Sequence, residues 1–147
     1  MSEITKRSSK QVIVMRTEFE VDGKKVTPRK GKYIAQGAHA SLKAILDRMT
    51  EFSTDEKGNS TLNLYLPANS ALHEWVTGRF TKICVSVKTE AELEDIYQKA
   101  KDRGIPCSMI VDAGLTEFGG NPTKTCCAIG PAWSDEIDKI TGHLSPF

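Results

Sequence analysis

The 147-residue chain has no apolar run near the roughly 18 to 20 residues that a membrane-spanning helix needs, so no membrane role is expected. It also has almost no net charge. Twenty Lys and Arg against nineteen Asp and Glu leave +1, and bulk charge therefore announces no nucleic-acid partner. A glycine-rich phosphate loop is missing: Arg29-Lys30-Gly31-Lys32 fits neither G-x-G-x-x-G nor the P-loop pattern. That argues against a nucleotide-binding α/β enzyme. The four cysteines, Cys84, Cys107, Cys126 and Cys127, form no C-x-x-C pair, so neither a zinc site nor any other metal or cofactor is expected. Each sits in an apolar run and reads as a buried, reduced thiol, which points to a reducing, cytoplasmic setting. Residues 1–10 are polar and lack the apolar core of a secretory signal. They read as a disordered lead-in to one domain over residues 11–147, a length suited to a single core.

What is present is an alternation of strand and helix patterns. Residues 11–16 are a short apolar run of strand type. Two strand-like stretches flank Asp22-Gly23, a hairpin dipeptide, and predict a small exposed ribbon. A helix is expected over residues 31–49, with Ile34, Ala35, Ala38, Leu42, Ile45, Leu46 and Met49 as its apolar, inward stripe. Residues 50–60 read as a polar loop and residues 61–66 as a minor strand. Asn69 or Ser70 caps a short helix ending near Gly78. Residues 81–87 read as a strand, and Thr89 with Glu92 spells a capping box for the helix after it. Gly104 and Pro106 stop that helix before a strand at residues 107–111, a succession that favours a parallel crossover. A strand at residues 125–129 and a helix capped by Ser134 complete the pattern. The expected fold class is α/β: one domain, a mixed sheet of about four strands, helices on both faces.

Two features should meet at the carboxyl ends of the parallel strands, where α/β sheets collect their ligands. One is a polar stripe, Lys32, Gln36, His39 and Lys43, projecting within about 60° on the first helix. The other is Asp112, just past the third strand. A basic cluster, Lys24, Lys25, Arg29, Lys30 and Lys32, follows Asp22 with no acid among it and fits either a solvated loop or a phosphate-binding patch.

Residues 30–40, KGKYIAQGAHA, resemble the first signature of the archaeal and eukaryotic type of peptidyl-tRNA hydrolase. Asp112-Ala113-Gly114-Leu115-Thr116 is similar to the second, and residues 125–131 with 137–144 are similar to the C-terminal one. The resemblance implies metal-free hydrolysis of the ester joining a peptide to the 3′ ribose of tRNA, with no cofactor. Carried over by position, it implies Lys32, Gln36, Asp112 and Thr125 as catalytic residues and Thr116 and His39 as substrate contacts. Lys24, Lys25, Arg29, Lys30 and Lys43 are the candidates for gripping tRNA phosphates at the acceptor stem. A homodimer is implied as well.

The chain departs from the family pattern at Leu115, where an arginine is common, and in two insertions, residues 21–28 and about 50–66. The basic ribbon of the first insertion is expected to take over the missing arginine's contact. The departures keep a second reading open, a catalytically weak relative acting as an RNA- or protein-binding module.

Overall fold

The structure is a computed structural model, and it describes residues 7–147. Its centre is a mixed sheet built on β1 (Ser9–Arg16), whose side chains alternate between the two faces. Val12 and Val14 point to one face; Ile13 and Met15 point to the other. The expected lead-in is shorter than ten residues, because Ser9 and Lys10 already belong to β1 and Arg7 pairs with Asp135 at 2.9 Å. Residues 1–6 lie outside the described residues.

A hairpin of β2 (Phe19–Val21) and β3 (Lys24–Val26) follows, turning at Asp22 and Gly23, both at positive φ. It is anchored rather than free-standing. Phe19 is buried and its ring lies 4.8 Å from that of Phe118.

Helix α1 (Lys30–Leu46) ends three residues earlier than its pattern predicts; its tail closes in i→i+3 bonds from Arg48 and Met49. Its inward face also differs. The buried residues are Gln36, Gly37, Ala40 and Ala44, whereas Ile34, Leu42 and Leu46 are exposed. Small residues win because the helix lies close on the sheet: a Cβ on Gly37 would already touch Met15 Cε at 3.5 Å.

The expected loop after α1 is instead a second hairpin, β4 (Glu51–Thr54) with β5 (Ser60–Asn63), separate from the main sheet. Asp55 closes its tip by accepting hydrogen bonds from the N–H groups of Lys57 and Asn59. Helix α2 (Ala71–Thr77) is capped by Ser70, which accepts from His73 N–H at 3.1 Å.

β6 (Lys82–Val87) leads to α3 (Glu90–Asp102) and β7 (Cys107–Asp112). Thr89 caps α3 as expected, but Glu92 reaches the N–H of Lys88 rather than that of Thr89. β8 (Thr123–Trp133) is the longest strand, interior to the sheet, and α4 (Ser134–Thr141) follows it. Ser134 does not cap α4; its hydroxyl bonds the Ser8 hydroxyl at 3.0 Å and its N–H bonds the Ser8 carbonyl. A two-residue strand, β9 (Ser145–Pro146), pairs with β6 and makes the sheet five-stranded rather than four.

The strand order is β7-β8-β1-β6-β9. β1 is parallel to β6 and antiparallel to β8, and β7 is antiparallel to β8. β6 and β7 are therefore parallel, as the crossover predicts, but two strands separate them. Helices α3 and α4 cover the Val12–Val14 face, through Leu93, Ile96, Ala100, Ile137 and Ile140. Helix α1 covers the opposite face over β7, β8 and β1. No helix of the described residues is long and apolar enough to cross a membrane.

Candidate active site

The topology brings the carboxyl end of β7, the start of β8 and the first two turns of α1 together. Lys32 Nζ donates to Asp112 Oδ1 at 2.9 Å and to Thr116 Oγ1 at 3.2 Å. Gln36 Nε2 donates to the same Asp112 Oδ1 at 3.2 Å, and Thr125 Oγ1 donates to Gln36 Oε1 at 2.6 Å. The second carboxylate oxygen, Oδ2, accepts from the Gly114 N–H at 2.9 Å. Four residues from three separate sequence segments thus form one chain of hydrogen bonds, with Thr116 attached to it through Lys32.

Burial grades along that chain. Thr125 and Gln36 are 2% and 4% exposed, while the side chains of Lys32 and Asp112 are each 15% exposed. The outer pair is part-exposed; the inner pair is buried beneath it. Gln36 and Thr125 are therefore placed to position Asp112, and Lys32 and Asp112 are the members of the chain that reach solvent. An ammonium has three N–H donors, and two are engaged here, which leaves one for a ligand.

Desolvation is the largest influence on Asp112 and pushes its pKa up. The Lys32 hydrogen bond, the Gly114 N–H, the Lys32 charge and Gln36 together outweigh it and hold the carboxyl below the usual carboxylate range. A carboxylate so held is a firm acceptor for an orienting hydrogen bond and a poor proton acceptor.

The other basic candidates scatter. Arg29 lies at the site's edge, its Nε 2.8 Å from Glu117 Oε1, and its side chain is 85% exposed. Lys24 and Lys25 are exposed on β3, which the Phe19–Phe118 contact ties to the loop 113–122. Lys30 lines the opposite flank of α1, beside Tyr33 and Ile34. His39 is exposed one turn beyond Gln36 and makes no hydrogen bond among the described residues. Lys43 is eleven residues from Lys32, about 16 Å along the helix, and pairs with Asp47 at 3.1 Å. It does not join the site. Leu115 is fully out in solvent at 85% exposure.

Three residues of the site escaped the sequence reading. Glu117 accepts from both the N–H and the Nε of Arg29, fastening the loop 113–122 to the start of α1. Phe118 is buried beneath the loop, with Lys32 Nζ 5.4 Å from its ring centroid. A single large aromatic before Gly119 and Gly120 was the available signal, since a glycine-rich loop needs an apolar anchor to hold shape. Arg16, at the end of β1, stacks over Phe19 and donates to the carbonyls of Glu18 and Lys124. A charge closing an apolar strand was its only mark.

The cysteines stand apart from this site. All four are free, and burial pushes each thiol up, Cys126 to about 12. They are poor nucleophiles. Among the described residues, no three His, Cys, Asp or Glu side chains are grouped to hold a metal ion.

Comparison with known proteins places this geometry in context. A family model described as peptidyl-tRNA hydrolase PTH2 matches residues 9–147. A peptidyl-tRNA hydrolase of Methanocaldococcus jannaschii is 39% identical over 92% of this chain and 96% of its own length. That of Methanopyrus kandleri is 36% identical over 92% and 95%, and that of Aeropyrum pernix is 33% identical over 98% and 100%. Among solved structures, an Agrobacterium protein of unknown function covers 95% of this chain and 98% of its own at a TM-score of 0.50. At 13% identity that likeness is one of fold alone.

Proposed function

This chain belongs to the peptidyl-tRNA hydrolase PTH2 family, and we infer that it cleaves the ester between a peptide and the 3′ ribose of tRNA at Lys32 and Asp112. The observation that carries the assignment is the Lys32–Asp112 pair, part-exposed and fixed from below by Gln36 and Thr125. In this reading Asp112 orients a water molecule toward the ester carbonyl. The unengaged N–H of Lys32 meets the carbonyl oxygen as negative charge develops on it. The water oxygen bonds to the carbonyl carbon and the bond from that carbon to the ribose oxygen breaks; one of the water's protons ends on the ribose oxygen and the other in solvent, and the peptide leaves as a carboxylate. An activated ester asks for no covalent nucleophile and no metal, in keeping with the raised thiol pKa values.

Thr116, held against Lys32, and the exposed Lys24, Lys25, Arg29 and Lys30 are assigned to the 3′ end and acceptor stem of tRNA. The cytoplasm, where translation supplies the substrate, is the assigned location. The homodimer that the family implies is assigned to the apolar flank of α1. Ile34 is 73% exposed there, and Phe80, 53% exposed, lines the same hollow of about 970 Å³. The direct test is release of free tRNA from an N-acetylaminoacyl-tRNA by the purified chain; no release at micromolar enzyme rejects the function. Analytical ultracentrifugation of wild type and Ile34→Asp tests the dimer, which the variant should dissociate.

A further inference from the structure

The outer edge of β7 is unpaired. β7 ends the sheet, β8 takes one of its edges, and no backbone hydrogen bond leaves the other edge among the described residues. Between that edge and α1 runs a groove of about 550 Å³. Leu42, Leu46, Met109 and Val111 line it, and His39 and Lys43 stand on its rim. Val111 is 54% exposed and Leu46 is 45% exposed, so these side chains are open to an incoming ligand.

The groove runs along β7 toward the site, and its lining stops one residue short of Asp112. Val111 precedes Asp112 on the strand, and His39 stands one turn beyond Gln36 on the helix. At the far end of β7, Arg48 lies with Cys107 and Ser108 and carries a buried Nε that has no hydrogen-bond partner. The edge thus offers apolar walls along its length.

We propose that this groove receives the peptide of the substrate, extended along the outer edge of β7, with its ester carbonyl at Lys32 and Asp112. The proposal rests on the hydrolase reading above. It fixes the direction of the chain: the ester end sits at the carboxyl end of β7, so the peptide runs parallel to the strand. Backbone pairing to a sheet edge accepts many sequences, and alternate side chains fall toward the apolar wall. Such recognition suits a substrate whose peptide has no fixed sequence. Six strand residues at about 3.3 Å each span roughly 20 Å, room for about five or six peptide residues.

The experiment compares single-turnover kcat/KM on one tRNA carrying N-acetylated chains of one, two, four, six and eight apolar residues with the same last residue. Wild type and the double variant Leu46→Ser/Val111→Ser are measured, both substituted at exposed positions. Wild type should gain about tenfold between one and six residues, a difference of one well-placed apolar contact, and gain nothing further at eight. The double variant should lose that gain and stay within about twofold of wild type on the single-residue substrate. A six-residue chain N-methylated at alternate amides should fall back toward the single-residue rate. Equal rates at all lengths with normal cleavage of the single-residue substrate would overturn the groove and leave the hydrolase standing. Equal losses by the variant on short and long chains would overturn it too, and no cleavage of any substrate would remove both.

Discussion

The Thr125 hydroxyl donates to Gln36 Oε1 at 2.6 Å, and this bond turns the amide so that its nitrogen reaches Asp112 Oδ1 at 3.2 Å. The carboxylate, an acceptor only, selects the same orientation, so the two bonds agree on which way the amide faces. A buried strand residue thereby holds the amide that reaches Asp112.

Thr125→Val keeps the branched shape and removes the donor. Gln36 Oε1 is then buried without a partner, which costs about 1–3 kcal/mol. Urea unfolding should register that loss. Single-turnover hydrolysis should fall about tenfold in kcat with KM little changed, because Asp112 is less firmly held. Thr125→Ser should restore both. A stability loss with kcat intact would make Thr125 a packing residue only.

Asp112 gives a signed pH dependence. Its native pKa lies below the unfolded value of about 3.9, so the folded state binds this proton less readily. Its contribution to stability is therefore complete above about pH 4 and disappears as pH falls through the native pKa. The difference in Tm between wild type and Asp112→Asn should be flat from about pH 5 to 8 and shrink below about pH 4. Calorimetry across that range checks it. A difference that instead grows in acid would mean the carboxyl is raised, contrary to its three donors.

The comparison of sequence and structure turns on what hydropathy can see. Strands β1, β6, β7 and β8 were legible because an apolar run bounded by polar residues has few other uses. The site was legible through residue order, since Lys32, Gln36, Asp112 and Thr125 carry the family signatures. The inward face of α1 was not legible. Its apolar stripe is the exposed one, and Gly37, Ala40 and Ala44 face the sheet because closeness to β8 and β1 outweighs side-chain size there. The β4–β5 hairpin was half legible: the minor strand expected at residues 61–66 overlaps β5, whereas β4 fell in the expected loop because it is short, and Asp55 at the tip supplies the stabilising bonds. Lys43 sits on the same side of α1 as Lys32 but too far along it, a separation that angular alignment does not measure.

The basic hairpin predicts a salt effect. If Lys24 and Lys25 contact tRNA phosphates, each displaces about one condensed counterion. The slope of log affinity against log salt for the double variant Lys24→Ala/Lys25→Ala should then be shallower by about one unit per contact. Arg29 should contribute less, because Glu117 already takes its Nε and backbone N–H. Filter binding of uncleaved tRNA at several salt concentrations measures this. An unchanged slope assigns the hairpin lysines to solubility.

Lys32 and Asp112 should divide the rate between them. Lys32→Ala removes the only cation hydrogen-bonded to Asp112 among the described residues, and with it the N–H available to the carbonyl oxygen. Asp112→Asn keeps the shape, but its amide nitrogen cannot accept from Lys32, Gln36 or Gly114. Each substitution should lower single-turnover hydrolysis of a blocked aminoacyl-tRNA about 100- to 1,000-fold, the usual loss for one electrostatic contact in a transition state. Both side chains are part-exposed and lie outside the two apolar clusters, so cooperative unfolding should persist in both variants. The double variant should be little slower than either single one, because the pair acts as a unit. EDTA should leave the wild-type rate unchanged. Full activity of Asp112→Asn would move the chemistry elsewhere, as would wild-type activity that vanishes in EDTA and returns with a divalent metal. If Lys32→Ala alone fails, and fails in tRNA binding with kcat preserved, Lys32 is a phosphate anchor and Asp112 works without it.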